Sequence, residues 1–470
     1  MVLPALRWGG DTGFDHEGQQ ITTALELGVG GFIIFGGTAE AVSRLVNSLR
    51  ERSAVPLLIA SDLERGAGQQ FQGLSELPPP RALAALGDTE VVFEAGRVTA
   101  AEARSVGIDW VFAPVADLDA NPANPIVQTR AFGESPAAVA ECVRQWALGC
   151  RAGGALSCIK HFPGHGRTAT DSHAGLPVVQ ATAAELEQED WPPFRAGIAA
   201  GVPAVMTGHI AYPAIDRSGK PATVSPILLG LLREQLGFDG VVVSDALIME
   251  GAFDGRSEAE AYQEAMNAGV DLLLYPRDLR TAVNAISGGA VTEARLNQAS
   301  ARYERLLRQA AALPPAPPTD GAALEHRLAE RLVDQGMRRG AHPSLVPPFE
   351  LVLVDDDVGG PYPPSPSDYV AQELRRLGVP LGAGGSRIVL AFAEPRAWKE
   401  RSGLSAHNRE RLATLAPGAD LMVLFAHERL LADVPDGPPV LLAWHRQRPL
   451  QLAVARRLAR RARPDVKGDW

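Results

Sequence analysis

PILLGLLREQLGFDGVVVSDALIMEG, residues 226–251, decides how the larger part of this chain folds. Over Pro226–Leu236 the apolar residues recur at helical spacing, which predicts an amphipathic helix. The stretch that follows, Val241–Ser244, is three valines and a serine, the unbroken apolar string shown by strands covered on both faces. It ends directly in an ionisable residue, Asp245.

The same grammar recurs upstream and downstream. Short runs at Leu3–Trp8, Gly31–Phe35, Pro56–Ala60, Asp109–Val115, Ala155–Lys160, Ala204–Thr207 and Val270–Tyr275 each end in polar or glycine residues. Helix-like stretches lie between them at Ala39–Arg52, Thr89–Val106, Pro136–Ala152, Ala183–Ala200 and Glu258–Ala268. With Val241–Ser244 this makes eight strand–helix units. That number predicts a closed (β/α)₈ TIM-type barrel over residues 1–312, the last helix being Glu293–Ala312.

LPPAPPTD follows, and its prolines predict a stiff extended linker over residues 313–319. Beyond it, strand-like runs at Phe349–Val354, Arg387–Ala393, Asp420–Phe425 and Val440–Trp444 alternate with helical stretches such as Asp368–Leu377 and Leu450–Arg463. These predict a smaller open α/β domain over 320–470. The arginines of its last helix read as a solvated face. The domain's role stays open between packing over the barrel mouth, stabilising the fold and mediating assembly. No repeat of solenoid period is present.

Composition narrows the function classes. Hydrophobic residues at 46% and charged residues at 21% are those of an ordinary globular chain. A formal charge of −10 disfavours nucleic acid as a partner. Cys142, Cys150 and Cys158 form no disulfide framework in a chain of this length. Neither a basic leader nor an apolar run approaching about 18 residues is seen, so a cytoplasmic location without membrane attachment is expected.

In a barrel, function sits where the strands end. Asp62 and Glu64 follow the third run, Arg130 lies in the loop after the fourth, Lys160 and His161 end the fifth, His209 the sixth and Asp245 the seventh. Together they predict a polar pocket of monosaccharide size. Glycoside hydrolysis requires a proton donor for the leaving group and an anionic nucleophile or base, because the transition state resembles an oxocarbenium ion. Asp245 suits the nucleophile, on a backbone stiffened by the strand before it; its structural alternative is an N-cap for the turn Ala246–Gly251. In KHFPGHGRTATDSHAGLP, residues 160–177, Asp171 and His173 lie two apart. Asp171 can therefore stabilise a protonated His173 and fix its tautomer, giving a proton shuttle, although an isolated D-x-H is ordinarily a solvated loop pair.

K-H-F-P-G-H-G at 160–166, D-S-H at 171–173 and G-F-D-G-V-V-V-S-D-A-L at 237–247 agree in order and spacing with one family. From about Gly30 to Ala268 the chain resembles the family-3 glycoside hydrolases, in their bacterial β-N-acetylglucosaminidase branch. The resemblance implies that Asp245 forms a glycosyl-enzyme and that His173, assisted by Asp171, acts as acid and then base. It implies that Asp62, Arg130, Lys160 and His161 hold the hydroxyl groups of a terminal N-acetylglucosamine. Cell-wall fragments are the implied source of that sugar, and neither cofactor nor metal is expected. Because a neutral imidazole repels an anion less than a carboxylate does, phosphate enters the reading as a second acceptor beside water.

The chain departs from the family pattern after the third strand, where D-L-E-R-G-A-G-Q-Q-F at 62–71 carries Ala67 and Gln70 in place of two arginines. Arg65 stands where glycine is usual, either reaching into the site or forming a surface salt bridge. Ala246 replaces a frequent second aspartate. Three other readings remain in view. A β-glucosidase or β-xylosidase of the family would usually lack this D-x-H. A sugar-binding regulator on a decayed barrel would not need Asp171, His173 and Asp245 intact. A metal-dependent amidohydrolase would carry H-x-H at the first strand, where Gly9, Gly10 and Asp11 stand.

Overall fold

The computed structural model describes residues 1–170, 175–358, 364–396, 399 and 401–462. The runs fold as β1 (Val2–Leu3), β2 (Ala5–Arg7), β3 (Gly31–Phe35), β4 (Leu58–Ser61), β5 (Trp110–Val111), β6 (Leu156–Phe162), β7 (Ala204–Thr207), β8 (Val241–Val243) and β9 (Leu273–Leu274). From β2 to β8 they form one parallel sheet in chain order. The sheet closes because β1 pairs in parallel with β9, Val2 opposite Leu273, while Val243 bridges Leu272. Pro4, with no N–H to give to a ladder, divides β1 from β2. Counting those two as one interrupted strand, the barrel has eight.

Alternation along each strand separates two buried layers. Leu3, Ala5, Ile33, Leu58, Trp110, Phe112, Leu156, Cys158, Met206, Val243 and Leu272 fill the barrel interior as one cluster. Their neighbours Ile34, Ile59, Val111, Ile159, Val205 and Val242 pack outward under the helices. Each such side chain contributes about 1.5–3 kcal/mol by leaving water, and double-sided burial is why the strands read as unbroken apolar strings. Leu306 of the helix Glu293–Ala312 joins the interior cluster, so that helix packs against the barrel floor. Gly31 is forced by contact: a Cβ there would meet the Leu58 carbonyl oxygen at 1.9 Å.

Three expectations are corrected. The stretch Ala183–Ala200 is two helices, Ala183–Gln188 and Trp191–Ala199, because Pro192 and Pro193 suit a helix's first turn and not its interior. The expected strand Asp109–Val115 is regular only at Trp110–Val111, with Pro114 interrupting it. The arginines of the final helix, Arg448–Ala462, are not simply solvated. Arg457 is buried against Asp334 at 2.7 Å, Arg456 meets Glu373 at 3.2 Å and Arg460 meets Glu330 at 2.8 Å. These pairs hold that helix to Gly321–Asp334 and Tyr369–Arg376.

After Leu313–Thr319, which is neither helix nor strand, the chain forms a five-stranded sheet. Its strands are β10 (Met337–Arg339), β11 (Glu350–Asp355), β12 (Arg387–Ala393), β13 (Leu421–Ala426) and β14 (Val440–Leu442). The order is β10-β14-β13-β12-β11, with β10 antiparallel and the others parallel.

The carboxyl edge of this sheet is turned toward the barrel mouth on the side of the β4 and β5 loops. Residues just past β13 and β14 reach across: Arg429 to Asp119 at 2.6 Å, Glu428 to Arg81, and Gln447 to the Leu77 carbonyl at 2.8 Å. Glu325 accepts the Glu76 N–H at 2.7 Å in the same junction. Burial first, then repulsion from Glu76 and Glu102, pushes the Glu325 carboxyl up to about 7, despite the opposing backbone hydrogen bond. Between its ordinary 4.5 and that value the folded chain holds a proton that the unfolded chain releases, so its stabilising contribution is lost as pH rises through this window. Glu325→Gln keeps an acceptor and removes the buried charge. It is expected to raise the Tm by roughly 1–3 °C at pH 8 and not at pH 4.5, measured by calorimetry.

Candidate active site

The carboxyl ends of β4, β6 and β8 supply the ionisable centre. Lys160, buried on β6, places Nζ 2.7 Å from Asp62 Oδ1 and 2.8 Å from Glu64 Oε1. Arg130, in the single helical turn Gln128–Arg130, donates to Glu64 twice, through Nε at 2.9 Å and Nη2 at 2.8 Å. Burial alone would raise the Glu64 carboxyl, but Arg130 and then Lys160 hold it well below its ordinary value. Lys160 in turn stays charged above its ordinary range, because Asp62 and Glu64 outweigh the cost of burying it. Two cations and two anions therefore form a fixed lattice. Within it Glu64 is 5% exposed and Asp62 28%, so Asp62 is the carboxylate offered to the pocket while Glu64 organises.

Lys160→Met would leave two carboxylates facing each other with only Arg130 to offset them. It is expected to destabilise the chain by about 3 kcal/mol in urea unfolding, since breaking a buried pair leaves an uncompensated charge. The double variant with Glu64→Gln should recover part of that loss.

His161, expected in the pocket at the end of the fifth run, is oriented by Asp117, a residue that the sequence motifs do not single out. Its Nδ1 lies 2.6 Å from Asp117 Oδ2, and the His165 backbone N–H donates to Asp117 Oδ1 at 2.6 Å. Asp117 is buried, which would raise its carboxyl, yet the His161 and His165 imidazoles and these hydrogen bonds keep it below its ordinary value. Its signal in the sequence is weaker than that of Asp62, which directly follows β4, because Asp117 lies six residues past Val111, the end of β5. Burial, followed by the neighbouring His161, pushes His165 down to about 4.

The start of the loop after β6 is held tightly. Asn124 Nδ2 donates to the His165 carbonyl at 2.9 Å and Asn121 Nδ2 to that of Arg167 at 3.1 Å. Gly166 is required where it lies, since a Cβ would stand 1.7 Å from the Leu118 carbonyl oxygen. Asp171 and His173 lie outside the described residues.

Asp245 is two residues past β8 and partly exposed. Its backbone N–H donates to the Thr207 carbonyl at 3.1 Å, and its Oδ1 accepts from the Ala246 N–H at 2.8 Å. His209, fully buried, has Nδ1 2.8 Å from Thr223 Oγ1 and Nε2 3.2 Å from the Ala246 carbonyl, so it props the backbone beside Asp245.

Among the positions that depart from the family pattern, Gln70 braces β3, its Oε1 accepting the Gly36 N–H at 3.0 Å. Arg65 leads to the second domain. Its Nη1 lies 3.3 and 3.1 Å from the two ring nitrogens of His445, a position over the ring face, while His445 Nε2 meets Glu394 at 2.9 Å. Glu76 is 3.6 Å from the same guanidinium. Arg65 thus joins the loop carrying Asp62 and Glu64 to residues that follow β12 and β14.

Residues 14–306 match the glycosyl hydrolase family 3 N terminal domain. The chain belongs to that family. Among curated relatives, the family-3 chain is 36% identical over 290 residues to a β-N-acetylglucosaminidase/β-glucosidase of Cellulomonas fimi, an alignment covering 59% of this chain and 51% of that protein. It therefore spans about half the length of that relative. It is 39% identical over 257 residues to a β-hexosaminidase of Thiobacillus denitrificans, covering 52% of this chain and 71% of that one. A solved family-3 β-N-acetylglucosaminidase from Paenibacillus sp. superposes with a TM-score of 0.82 at 25% identity, covering 98% of this chain and 95% of the other. Family membership sets the amidohydrolase alternative aside. No described helix is long and apolar enough to cross a membrane.

Proposed function

We propose that this family-3 chain is a retaining exo-β-N-acetylglucosaminidase that removes terminal N-acetylglucosamine from β-glycosides. The observation that carries the reading is the Asp245 carboxylate, pinned through Oδ1 past β8 on the same barrel rim as the Asp62–Lys160–Glu64–Arg130 lattice. The names of the relatives support the substrate class, and the D-S-H motif supports the acid.

In the first step Asp245 Oδ2 attacks the anomeric carbon while protonated His173 gives its proton to the glycosidic oxygen. The aglycone leaves and a glycosyl ester remains on Asp245. In the second step neutral His173 takes a proton from water, the water oxygen displaces the carboxylate, and the β-anomer is released. Asp171 stabilises the imidazolium formed in each cycle. Asp62 and Lys160 hold sugar hydroxyls with Arg130, and His161, oriented by Asp117, does so on the neighbouring strand end.

Comparison of the 4-nitrophenyl glycosides of N-acetylglucosamine, glucose and xylose tests the substrate class. The N-acetylglucosaminide is expected to have the highest kcat/KM, and cleavage of the glucoside alone would reject the reading. Phosphate as a second acceptor is part of the proposal, since neutral His173 presents no negative charge to it. N-acetylglucosamine 1-phosphate should accumulate in phosphate buffer, and its absence would limit the acceptor to water.

A further inference from the structure

At the carboxyl ends of β12 and β13 a cavity of about 460 Å³ opens between residues 401–409 and 429–433. It lies where open parallel sheets hold ligands, in the crevice beyond their strand ends. No residue of the sugar pocket lines it. Its wall carries three guanidinium groups, Arg401, Arg409 and Arg429, against one carboxylate, Asp433. Asp356 and Asp119 behind the wall pair with two of the three guanidiniums, so what suits an anion is the placement of the guanidiniums at the cavity and not a net local charge.

The arginines are held to different degrees. Arg429 is fixed by Asp119 at 2.6 Å, and Arg401 by Asp356 at 2.6 Å. Asp356 is itself committed to Ser405 and Asn408, at 2.7 and 2.6 Å, and is therefore a poor neutraliser of anything further. The Arg401 Nε is buried and donates to no acceptor among the described residues. Arg409 is exposed and, among the described residues, pairs with no carboxylate. Ser402 adds a hydroxyl to the same wall.

Two anchored guanidiniums, one uncommitted guanidinium and a hydroxyl are the chemistry that recognises a dianionic phosphate group. The volume exceeds that of phosphate alone and falls within the range of small-molecule sites, leaving room for an organic body. We propose that this cavity is a second ligand site, on the carboxyl-terminal domain, that binds a small phosphate monoester. Its position, sharing Arg429 with the barrel residue Asp119, would let such a ligand stiffen the junction between the domains.

The test is calorimetric titration of the full chain with inorganic phosphate, glucosamine 6-phosphate and adenosine monophosphate, each with free N-acetylglucosamine saturating the sugar pocket. At least one of the two esters is expected to bind more tightly than inorganic phosphate. Arg409→Glu should weaken that binding by about tenfold or more with unchanged kcat on the 4-nitrophenyl substrate, because a charge-assisted contact becomes a repulsion. Ser402→Asp, which adds a carboxylate to the same wall, should act likewise. Which ester binds identifies a sugar or a nucleotide body. Absence of binding by all three probes, affinity unaltered in both variants, or loss of binding when N-acetylglucosamine is added would each overturn the site.

Discussion

Asp245→Asn is expected to lower kcat on 4-nitrophenyl N-acetyl-β-glucosaminide by about 10⁴-fold or more while leaving the Tm within about 2 °C of the parent. The amide is isosteric with the carboxylate, and its oxygen can still accept the Ala246 N–H that Oδ1 accepts at 2.8 Å. The local backbone is fixed independently of the side chain, by the Asp245 N–H on the Thr207 carbonyl and the Leu247 N–H on that of Leu274. What the amide cannot do is form a glycosyl ester or stabilise an oxocarbenium ion with a full negative charge. The alanine variant sharpens the test. With the nucleophile removed and the acid retained, azide can enter from the vacated face and give the α-glycosyl azide. Unaltered turnover by the asparagine variant would remove Asp245 from the mechanism, and with it the retaining chemistry.

The barrel was legible because its physics is repetitive. A strand buried on both faces must be apolar throughout, so Gly31–Phe35 and Ala204–Thr207 read directly as the strands they are. The helices Ala39–Arg52 and Glu258–Ala268 read as cleanly, with Thr38 and Ser257 capping them. Legibility failed where proline governs locally. Pro114 shortens one strand, and the Pro192–Pro193 pair starts a new helix within an unbroken helical periodicity.

The candidate site was half legible. Residues placed by the strand-end rule, Asp62, Lys160, His161 and Asp245, stand at the carboxyl ends of β4, β6 and β8. Asp117 is not singled out although it too lies in a loop after a barrel strand, because an aspartate inside the run PVADLD, residues 114–119, carries no motif of its own. Arg65 had two readings, reaching into the site or forming a salt bridge, and the structure shows an ion pair with Glu76 at 3.6 Å. Neither reading included its second contact, Nη1 at 3.3 and 3.1 Å from the ring nitrogens of His445 in the second domain. That contact joins residues 380 apart in the chain and depends on how two domains meet, which no local pattern encodes.

His173→Ala is the second large effect, and its size should depend on the leaving group. With a poor leaving group, such as a second sugar, loss of the general acid is expected to slow the first step by about 10³-fold. With 2,4-dinitrophenol, which departs without protonation, that step should be nearly unaffected, and the slow step becomes attack on the glycosyl-enzyme, where the base is missing. A burst of dinitrophenolate followed by slow turnover is the kinetic result. Azide needs no base, so it should restore turnover and give the β-glycosyl azide, opposite in configuration to the product of the alanine variant at Asp245. The pair of products assigns the two roles by stereochemistry, independently of any structural description of the loop. If His173→Ala slows every leaving group equally and azide restores nothing, the imidazole is not the proton shuttle, and the acid must be sought among other groups at the barrel mouth.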